Sequence, residues 1–278
     1  MSKYTTRIAP SPTGEMHIGT ARTAYFNYLA AKASGGVFIL RIDDTDINRS
    51  NPKYTENILK ILEWLGLKHD MIHHQSNAFG YYHTLARKLI EKGLAYNAGD
   101  AVLFTEEFVQ PKGPVNLVVL KQDGSPSYHF ASVVDDMFLG VNYIIRGTDH
   151  ESNLTKQQFM WNKVAQINPE WSPNFPKVDH VGLIMKDKKK LSKRDNAGSV
   201  LWYKDQGYHP EAILNFMLRM GWGPHKDDKS VALINKEKAL KLFLEHGNLR
   251  KAPSGYDEAK LKSFNRKYWH QEKINACI

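Results

Sequence analysis

The chain has 278 residues, of which 42% are hydrophobic, enough for one large core or two modest ones. It contains no apolar run near the roughly 20 residues that cross a bilayer, no secretory signal at its start, and one cysteine, Cys277. A membrane span, an internal disulfide and a cysteine-ligated zinc site are thereby excluded, which favours the cytoplasm. The formal net charge of +9 favours a polyanionic partner such as nucleic acid over a role in solubility alone.

The first 94 residues show the alternation of strands and helices that opens an α/β domain. Asn51 and Pro52 are suited to begin a helix, and Gly66 and Gly93 are suited to end helices, because glycine tolerates the left-handed backbone found there. The predicted elements are a strand over 5–9, a helix from His17, a buried strand over 37–40, and helices over 52–65 and 82–92.

Residues 95–116 break this alternation and are predicted to be an insertion. We then predict strands over 117–121, 141–145 and 178–185, a helix over 149–164, and helices from 210, over 236–244 and over 256–264. The fold class is α/β, with a catalytic domain over 1–94 and 117–209, the insertion over 95–116, and a helical region over 210–278.

The first motif runs from Arg7 to Thr20, Arg-Ile-Ala-Pro-Ser-Pro-Thr-Gly-Glu-Met-His-Ile-Gly-Thr. A strand here passes through a rigid turn into a helix, whose first turn presents free backbone N–H groups and the positive end of a dipole. Gly19 permits close approach of a flat group or a phosphate, and His17 can donate to a phosphate oxygen. The alternative is an ordinary strand-to-helix turn with a structural His17.

The second motif, Lys186 to Arg194, has six basic residues in nine. Such a run is usually a solvated loop or a nucleic-acid patch. The segment Lys190-Leu191-Ser192-Lys193-Arg194 also matches a mobile loop whose second lysine reaches a transferring phosphoryl group. Lysines there would stabilise charge that develops on phosphate and pyrophosphate.

A third cluster is acidic, Arg41-Ile42-Asp43-Asp44-Thr45-Asp46. It is open to interpretation as a salt-bridge network at the end of a strand or as a metal site, although alternating carboxylates on a strand point to opposite faces. Tyr128 is open to interpretation as a core tyrosine. The tryptophans at 64, 161, 202 and 222 are predicted to pack in the core, and His73, His74 and other histidines without a motif to lie at the surface.

The first two motifs together resemble the paired ATP-binding motifs of class I aminoacyl-tRNA synthetases, and the sequence resembles glutamyl-tRNA synthetases in particular. The resemblance covers nearly the whole chain, and the further matching stretches are 41–46, 128–136, 145–150, 201–204 and 261–268. It implies a class I Rossmann-type fold with a helical region that contacts the tRNA stem. It also implies ATP with Mg²⁺, L-glutamate and tRNA as ligands.

The resemblance also implies site residues. Its glutamate site would consist of Arg7, Ser11, Asp43, Tyr128, Ser132 and Arg146. Its ATP site would consist of Ala9, Ser11, His17, Gly19, Thr20, Asp149, His150, Leu183, Ile184, Lys190 and Lys193, with His17, Lys190 and Lys193 as catalytic residues and no metal held by the protein. The related glutamine enzymes lack an arginine at position 146, so Arg146 favours glutamate, because a neutral amide would leave a buried charge unpaired.

The sequence departs from that family in several places. Asp43 stands where glutamate is usual and Ser132 where asparagine is common, and the insertion of about 22 residues is short and has no cysteine for zinc. The chain ends shortly after Tyr268, where full-length members continue into an anticodon-binding domain. Transfer of glutamate to the 3′ end of tRNA by a monomer is the first hypothesis. The alternatives are another acceptor, such as the modified tRNA base queuosine, a small molecule or a protein, or a non-catalytic RNA-binding module.

Overall fold

The computed structural model describes residues 2–171, 174–187, 189–191, 199–224, 233–245 and 247–276. Two 3₁₀ helices, Gln75–Ala78 and Thr148–Asn153, accompany the longer elements. The strands are β1 (Thr5–Ile8), β2 (Val37–Ile42), β3 (Met71–His74), β4 (Ala95–Ala98), β5 (Ala101–Phe104), β6 (Val118–Leu120), β7 (Tyr143–Gly147), β8 (Lys177–Val181), β9 (Ile184–Lys186), β10 (Lys189–Lys190), β11 (Trp222–Pro224), β12 (Gly247–Leu249) and β13 (Ser254–Gly255). The helices are α1 (Ile18–Ala33), α2 (Pro52–Trp64), α3 (Phe79–Glu91), α4 (Tyr128–Phe138), α5 (Leu154–Ala165), α6 (Val200–Asp205), α7 (Pro210–Arg219), α8 (Lys236–Leu242) and α9 (Glu258–Ala276).

Parallel strands form the centre of the fold. β1, β2 and β3 pair in that order, β7 pairs with β8, and every one of these pairs is parallel. Asn142, just before β7, joins the two groups, since its backbone N–H donates to the Thr5 carbonyl and its side chain accepts from the Thr5 N–H. The carboxyl ends of β1, β2, β7 and β8 therefore meet at one edge, where ligands bind in open α/β sheets.

The predicted boundaries of α2 and the predicted end of α3 are confirmed, whereas α3 begins at Phe79, three residues before its predicted start. The Asn51 side chain accepts from the Lys53 N–H at 3.0 Å and caps α2, which Pro52 begins. Gly66 and Gly93 follow α2 and α3 with φ of 63° and 69°, so each takes a backbone conformation that strains other residues. α1 is buried on nearly all sides, which explains why its sequence is only weakly amphipathic.

The insertion forms a small antiparallel sheet of its own. β4 pairs with β5, and β5 with β6, so the strand predicted over 117–121 does not resume the parallel alternation as expected. The connection from β5 to β6 folds back on itself, since Phe108 and Val115 form an antiparallel bridge, and it thereby returns the chain antiparallel to β5. The core of this region consists of residues from α3, α4, α5 and the β4–β5–β6 sheet. The proposed domain boundaries stay predictions.

The helical character predicted after residue 210 is confirmed by α7, α8 and α9, although α9 is longer than expected. Trp161 and Trp222 are fully buried, and Trp64 and Trp202 pack against the main core, so the packing role predicted for them is confirmed. β13 pairs with β9 and thereby joins the C-terminal region to the strand that leads into the basic motif. Within the described ranges no helix has the length and apolar character needed to cross a membrane.

Candidate active site

A cavity of about 330 Å³ lies at the carboxyl ends of β1 and β7. The start of α1 forms one side, and the segment between β8 and β9 forms another. Twelve of the predicted site residues line it: Arg7, Ala9, Ser11, His17, Gly19, Thr20, Tyr128, Arg146, Asp149, His150, Leu183 and Ile184. The sequence-predicted glutamate and ATP residues therefore meet in one space, because the elements that carry them end at the same edge.

His17 caps α1. Its Nδ1 accepts from the backbone N–H groups of Gly19 at 3.1 Å and Thr20 at 3.3 Å, and its Nε2 lies 3.2 Å from the Thr20 hydroxyl. Two of the N–H groups expected to be free at this helix start are therefore already bonded. Because Nδ1 accepts, the proton of a neutral ring is on Nε2, which can donate. A Cβ on Gly19 would come within 3.0 Å of the His17 ring, so glycine leaves the capping ring undisturbed.

Arg41 is the centre of a buried ionic network. Its guanidinium donates to both oxygens of Asp43 at 2.7 and 3.1 Å, to Asp136 at 2.8 Å, and to the hydroxyl and carbonyl of Ser132. Burial acts to lower the pKa of Arg41, but the Asp43 and Asp136 carboxylates raise it well above its ordinary value. Arg7 donates to Asp136 at 3.0 Å. The salt-bridge interpretation of the acidic cluster is thus correct for Asp43.

The other aspartates of that cluster point elsewhere. Asp44 accepts from the backbone N–H and hydroxyl of Ser76 and lies 3.1 Å from His74 Nδ1, whereas Asp46 pairs with Arg49. Over the ranges the structure describes, no group of three His, Cys, Asp or Glu side chains converges as a metal site requires. The acidic cluster is therefore divided among separate structural contacts.

Asp43 and Ser132 do not line the cavity, unlike the other predicted glutamate residues. Ser132 is 1% exposed, and its hydroxyl accepts from Arg41 at 3.0 Å, so both residues lie behind Arg41. Tyr128, the first residue of α4, is 43% exposed and lies on the cavity wall, so the core interpretation of this tyrosine is wrong.

Arg146, near the end of β7, is held differently from the other two arginines. Its Nη1 donates to the Gln157 side-chain oxygen at 2.6 Å and its Nε to His180 Nε2 at 3.2 Å, while its buried Nη2 has no hydrogen-bond partner. Burial lowers the pKa of Arg146 to about 10, with a smaller contribution from Arg7, so the group is charged at neutral pH. Burial and Arg146 both lower the pKa of His180, which keeps it neutral and able to accept.

The sequence did not indicate Asp136, Gln157 or His180 as site residues. His180 was expected at the surface, but it is 4% exposed, because the β7–β8 register sets it directly beside Arg146. His73 is also not a surface residue, since its Nε2 lies 3.4 Å from buried Asp135. Only the strand pairing and the packing of α4 and α5 bring these side chains to the arginines.

The arginines that line the cavity outnumber the buried carboxylates that pair with them. Arg7 and Arg41 pair with two buried carboxylates, Asp136 and Asp43, whereas Arg146 has no carboxylate partner among the described residues. The remaining charge is on Arg146, whose unpaired Nη2 is the donor that a carboxylate or phosphate oxygen would accept from. The arrangement is suited to bind an anion.

Arg22 supports the opposite end of the cavity. Its Nη2 donates to the Gly182 carbonyl at 2.5 Å and its Nη1 to the Met220 carbonyl, so it links α1 to the end of β8 and to the end of α7. Burial lowers the pKa of Arg22 to about 10, and Asp149 opposes this shift. A Cβ on Gly182 would lie 2.1 Å from the Ala252 carbonyl oxygen. The segment that contains Leu183 and Ile184 is therefore fixed tightly.

Comparison with known proteins identifies the family. The model of the catalytic domain of class I tRNA synthetases for glutamate and glutamine (E and Q) matches residues 3–107 and 100–262. The chain belongs to this family. Glutamate–tRNA ligase 2 of Neorickettsia sennetsu is 39% identical over 279 residues, and the alignment covers 95% of this chain and 65% of that protein. Glutamate–tRNA ligase of Acholeplasma laidlawii is 37% identical over 303 residues, covering 96% and 65%.

The fold of this class I catalytic domain agrees with solved relatives. A glutamate–tRNA ligase from Elizabethkingia meningosepticum, solved in complex with its amino acid, superposes with a TM-score of 0.80 at 25% identity, over 97% of this chain and 70% of that one. The glutamate–tRNA synthetase of Elizabethkingia anophelis gives a TM-score of 0.78 at 25% identity. The chain spans slightly less than two thirds of the length of the first two relatives it matches.

The second ATP-binding motif of the family is only partly described. Lys189 and Lys190 form β10, which pairs with β9 beside the cavity. The side chain of Lys190 and all of Lys193 lie outside the described residues. Their catalytic roles stay predictions.

Proposed function

We propose that this chain activates L-glutamate with ATP, forming glutamyl adenylate and pyrophosphate, and then transfers the glutamyl group to the 3′ end of tRNA. The observation that carries the proposal is the buried, unpaired Nη2 of Arg146 in a cavity that Arg7 also lines. The names of the relatives, glutamate–tRNA ligases, favour tRNA as the acceptor.

Two guanidiniums suit a substrate with two carboxylates. Arg146 would bind one carboxylate of glutamate and Arg7 the other, with Ser11 and Tyr128 completing the pocket. Glutamine would leave the charge of Arg146 unpaired, at a cost of about 1.5–3 kcal/mol for one charged hydrogen bond. Asp43 and Ser132 would act through Arg41, since both are bonded to it, and Asp43 would attract the substrate ammonium by its charge.

ATP would occupy the part of the cavity between the start of α1 and Leu183–Ile184. The Nε2–H of His17 would donate to a phosphate oxygen, Gly19 and Thr20 would contact the nucleotide, and Asp149 and His150 would line its site. Lys190 and Lys193 would neutralise phosphate charge. Because no three metal ligands converge in the described residues, Mg²⁺ would enter bound mainly to the ATP phosphates, whose charge it screens.

The reaction needs positioning and charge stabilisation. The α-carboxylate of glutamate attacks the α-phosphorus of ATP, the bond to the β,γ-phosphates breaks, and pyrophosphate leaves. Arg7 and Arg146 would orient the amino acid, and His17 would donate to the phosphates, whose charge the two lysines would neutralise. A hydroxyl of the terminal ribose of tRNA then attacks the carbonyl of the adenylate, and AMP leaves. The basic helical region over 210–278 would contact the tRNA stem, within a monomeric cytoplasmic protein.

Pyrophosphate exchange into ATP tests the proposal. The assay uses glutamate, glutamine and aspartate, each with and without bulk tRNA, and compares wild type with Arg146→Leu and with Arg87→Leu, which removes an exposed arginine on α3. We expect pyrophosphate exchange with glutamate but not with glutamine or aspartate. Arg146→Leu should abolish this exchange, and Arg87→Leu should not. Exchange that Arg146→Leu leaves unchanged, or none with any amino acid under either condition, would refute the proposal.

A further inference from the structure

We propose that Gln157 and His180 determine the charge specificity of the site by holding Arg146 with uncharged acceptors. Their hydrogen bonds fix the guanidinium without neutralising it, so its charge is reserved for the ligand. The inference rests on the proposed function for the identity of the ligand. The charge reserve, by which we mean the positive charge of Arg146 that no carboxylate of the protein neutralises, can be tested by binding measurements alone.

Arg7, Arg41 and Arg146, the cavity arginines on β1, β2 and β7, differ in one respect. Arg7 donates to Asp136, and Arg41 donates to Asp43 and Asp136, so both are ion-paired with buried carboxylates. Arg146 has no salt bridge among the described residues, and it donates only to an amide oxygen and an imidazole nitrogen. Arg7 and Arg41 are thus fixed by ion pairs, whereas Arg146 is fixed by hydrogen bonds to uncharged acceptors.

The positions of Gln157 and His180 fix the orientation of the Arg146 guanidinium. Gln157 is on α5 and 4% exposed, and His180 is on β8 and 4% exposed, so they approach Arg146 from different elements. Together they occupy Nη1 and Nε and leave Nη2, which is buried and unpaired. The carboxylate that influences Arg146 most is Asp136, and it is already shared by Arg7 and Arg41.

A carboxylate at position 157 would change the electrostatics while nearly keeping the shape. At the 2.6 Å separation of the present contact it would form an ion pair with Arg146. The pair of Arg146 and this carboxylate would have no net charge, and the carboxylate would repel an anionic ligand. The affinity for a neutral amide would therefore fall less than the affinity for an anion. Gln157 would therefore decide between acid and amide without touching the ligand.

Binding calorimetry with L-glutamate, L-glutamine and glutarate tests this role on the full chain. The variants are Gln157→Glu, the neutral Gln157→Met, and the matched control Gln158→Glu, which adds the same charge at the exposed next residue of α5. We expect Gln157→Glu to weaken glutamate and glutarate at least about 10-fold and to lower the glutamate-to-glutamine affinity ratio by a similar factor. Gln157→Met should weaken both amino acids by a similar few-fold, and Gln158→Glu should match wild type.

Several outcomes would overturn the proposal. Equal effects of Gln157→Glu and Gln157→Met on the affinity ratio would mean that Gln157 only packs or orients. Failure of wild type to bind either glutamate or glutarate would refute the charge reserve itself. If wild type binds the dicarboxylates but supports no pyrophosphate exchange, the proposed reaction fails while the charge reserve stands. Should Gln157→Glu not fold, His180→Asp and its neutral match His180→Asn repeat the comparison from β8, and an unchanged ratio there counts against the proposal.

Discussion

Replacing Asp136 by Asn removes the one carboxylate that two buried arginines share. Asp136 accepts from Arg7 Nε at 3.0 Å and from Arg41 Nη1 at 2.8 Å, and it is 4% exposed. Asparagine keeps the volume and one acceptor oxygen but leaves Arg7 without a charged partner. Arg41 still has Asp43. The substitution therefore removes one buried negative charge from beside two buried arginines.

Breaking a buried ion pair by removing one partner costs about 3–5 kcal/mol. Because the amide still accepts one hydrogen bond, we expect Asp136→Asn to lose about 3 kcal/mol of unfolding free energy. That is a large part of a typical stability of about 5–15 kcal/mol. Urea denaturation followed by tryptophan fluorescence measures the change, with Asp123→Asn as a control that removes one charge at an exposed turn. We expect the control to stay within about 0.5 kcal/mol of wild type. If Asp136→Asn also lost no more than about 0.5 kcal/mol of unfolding free energy, the view that Asp136 stabilises the two arginines would be refuted.

Further predictions concern a helix cap, a brace and a titrating group. Asn51→Ala removes the cap of α2 and should lower the unfolding free energy by about 1 kcal/mol in urea denaturation, whereas Asn51→Ser should recover most of it. Arg22→Met frees the Gly182 carbonyl, and we expect it to raise the KM for ATP in pyrophosphate exchange far more than the KM for glutamate; equal increases would contradict the brace. Burial lowers the pKa of His129 from 6.5 to about 4. As the pH falls, His129 is therefore protonated in the unfolded chain at a higher pH than in the folded chain. Stability should fall between pH 6.5 and 4, and the urea midpoint of His129→Gln should fall less than that of wild type.

The sequence was sufficient for features that neighbouring residues determine. The Asn51 cap, the glycine helix ends and the buried β2 strand depend on local chemistry and short-range patterns, and they were predicted correctly. β3 was missed because its residues, Met-Ile-His-His, lack a continuous apolar run. α4 was missed because its sequence was interpreted as a motif rather than by its periodicity, although Ser127 caps it as expected for a helix start.

Pairing between distant segments was not predictable from local patterns. β6 has the apolar composition of a parallel core strand, yet it pairs antiparallel to β5, because the connection between them folds back through the Phe108–Val115 bridge. The cavity residues were named from the resemblance, although they come from segments as far apart as 7–20, 128–150 and 183–184. Asp43 was assigned to the ligand from the resemblance, and it directly follows β2, but its two oxygens accept from Arg41 two residues earlier. A strand-end position therefore did not predict exposure to the cavity.

The three arginines show why a binding charge cannot be recognised from one residue alone. Arg7, Arg41 and Arg146 all lie on buried strands, and the local sequence of each is compatible with a structural or a ligand-binding role. What separates them is whether a distant helix supplies a carboxylate or a neutral acceptor. α4 supplies Asp136 to Arg7 and Arg41, whereas α5 supplies Gln157 to Arg146. Since a buried charge without an anion is costly to maintain, the lack of a carboxylate beside Arg146 lowers stability, and binding of an anion would relieve that cost. The proposed site for an acidic ligand is thus defined by the carboxylate that α5 lacks as much as by the arginine that β7 provides.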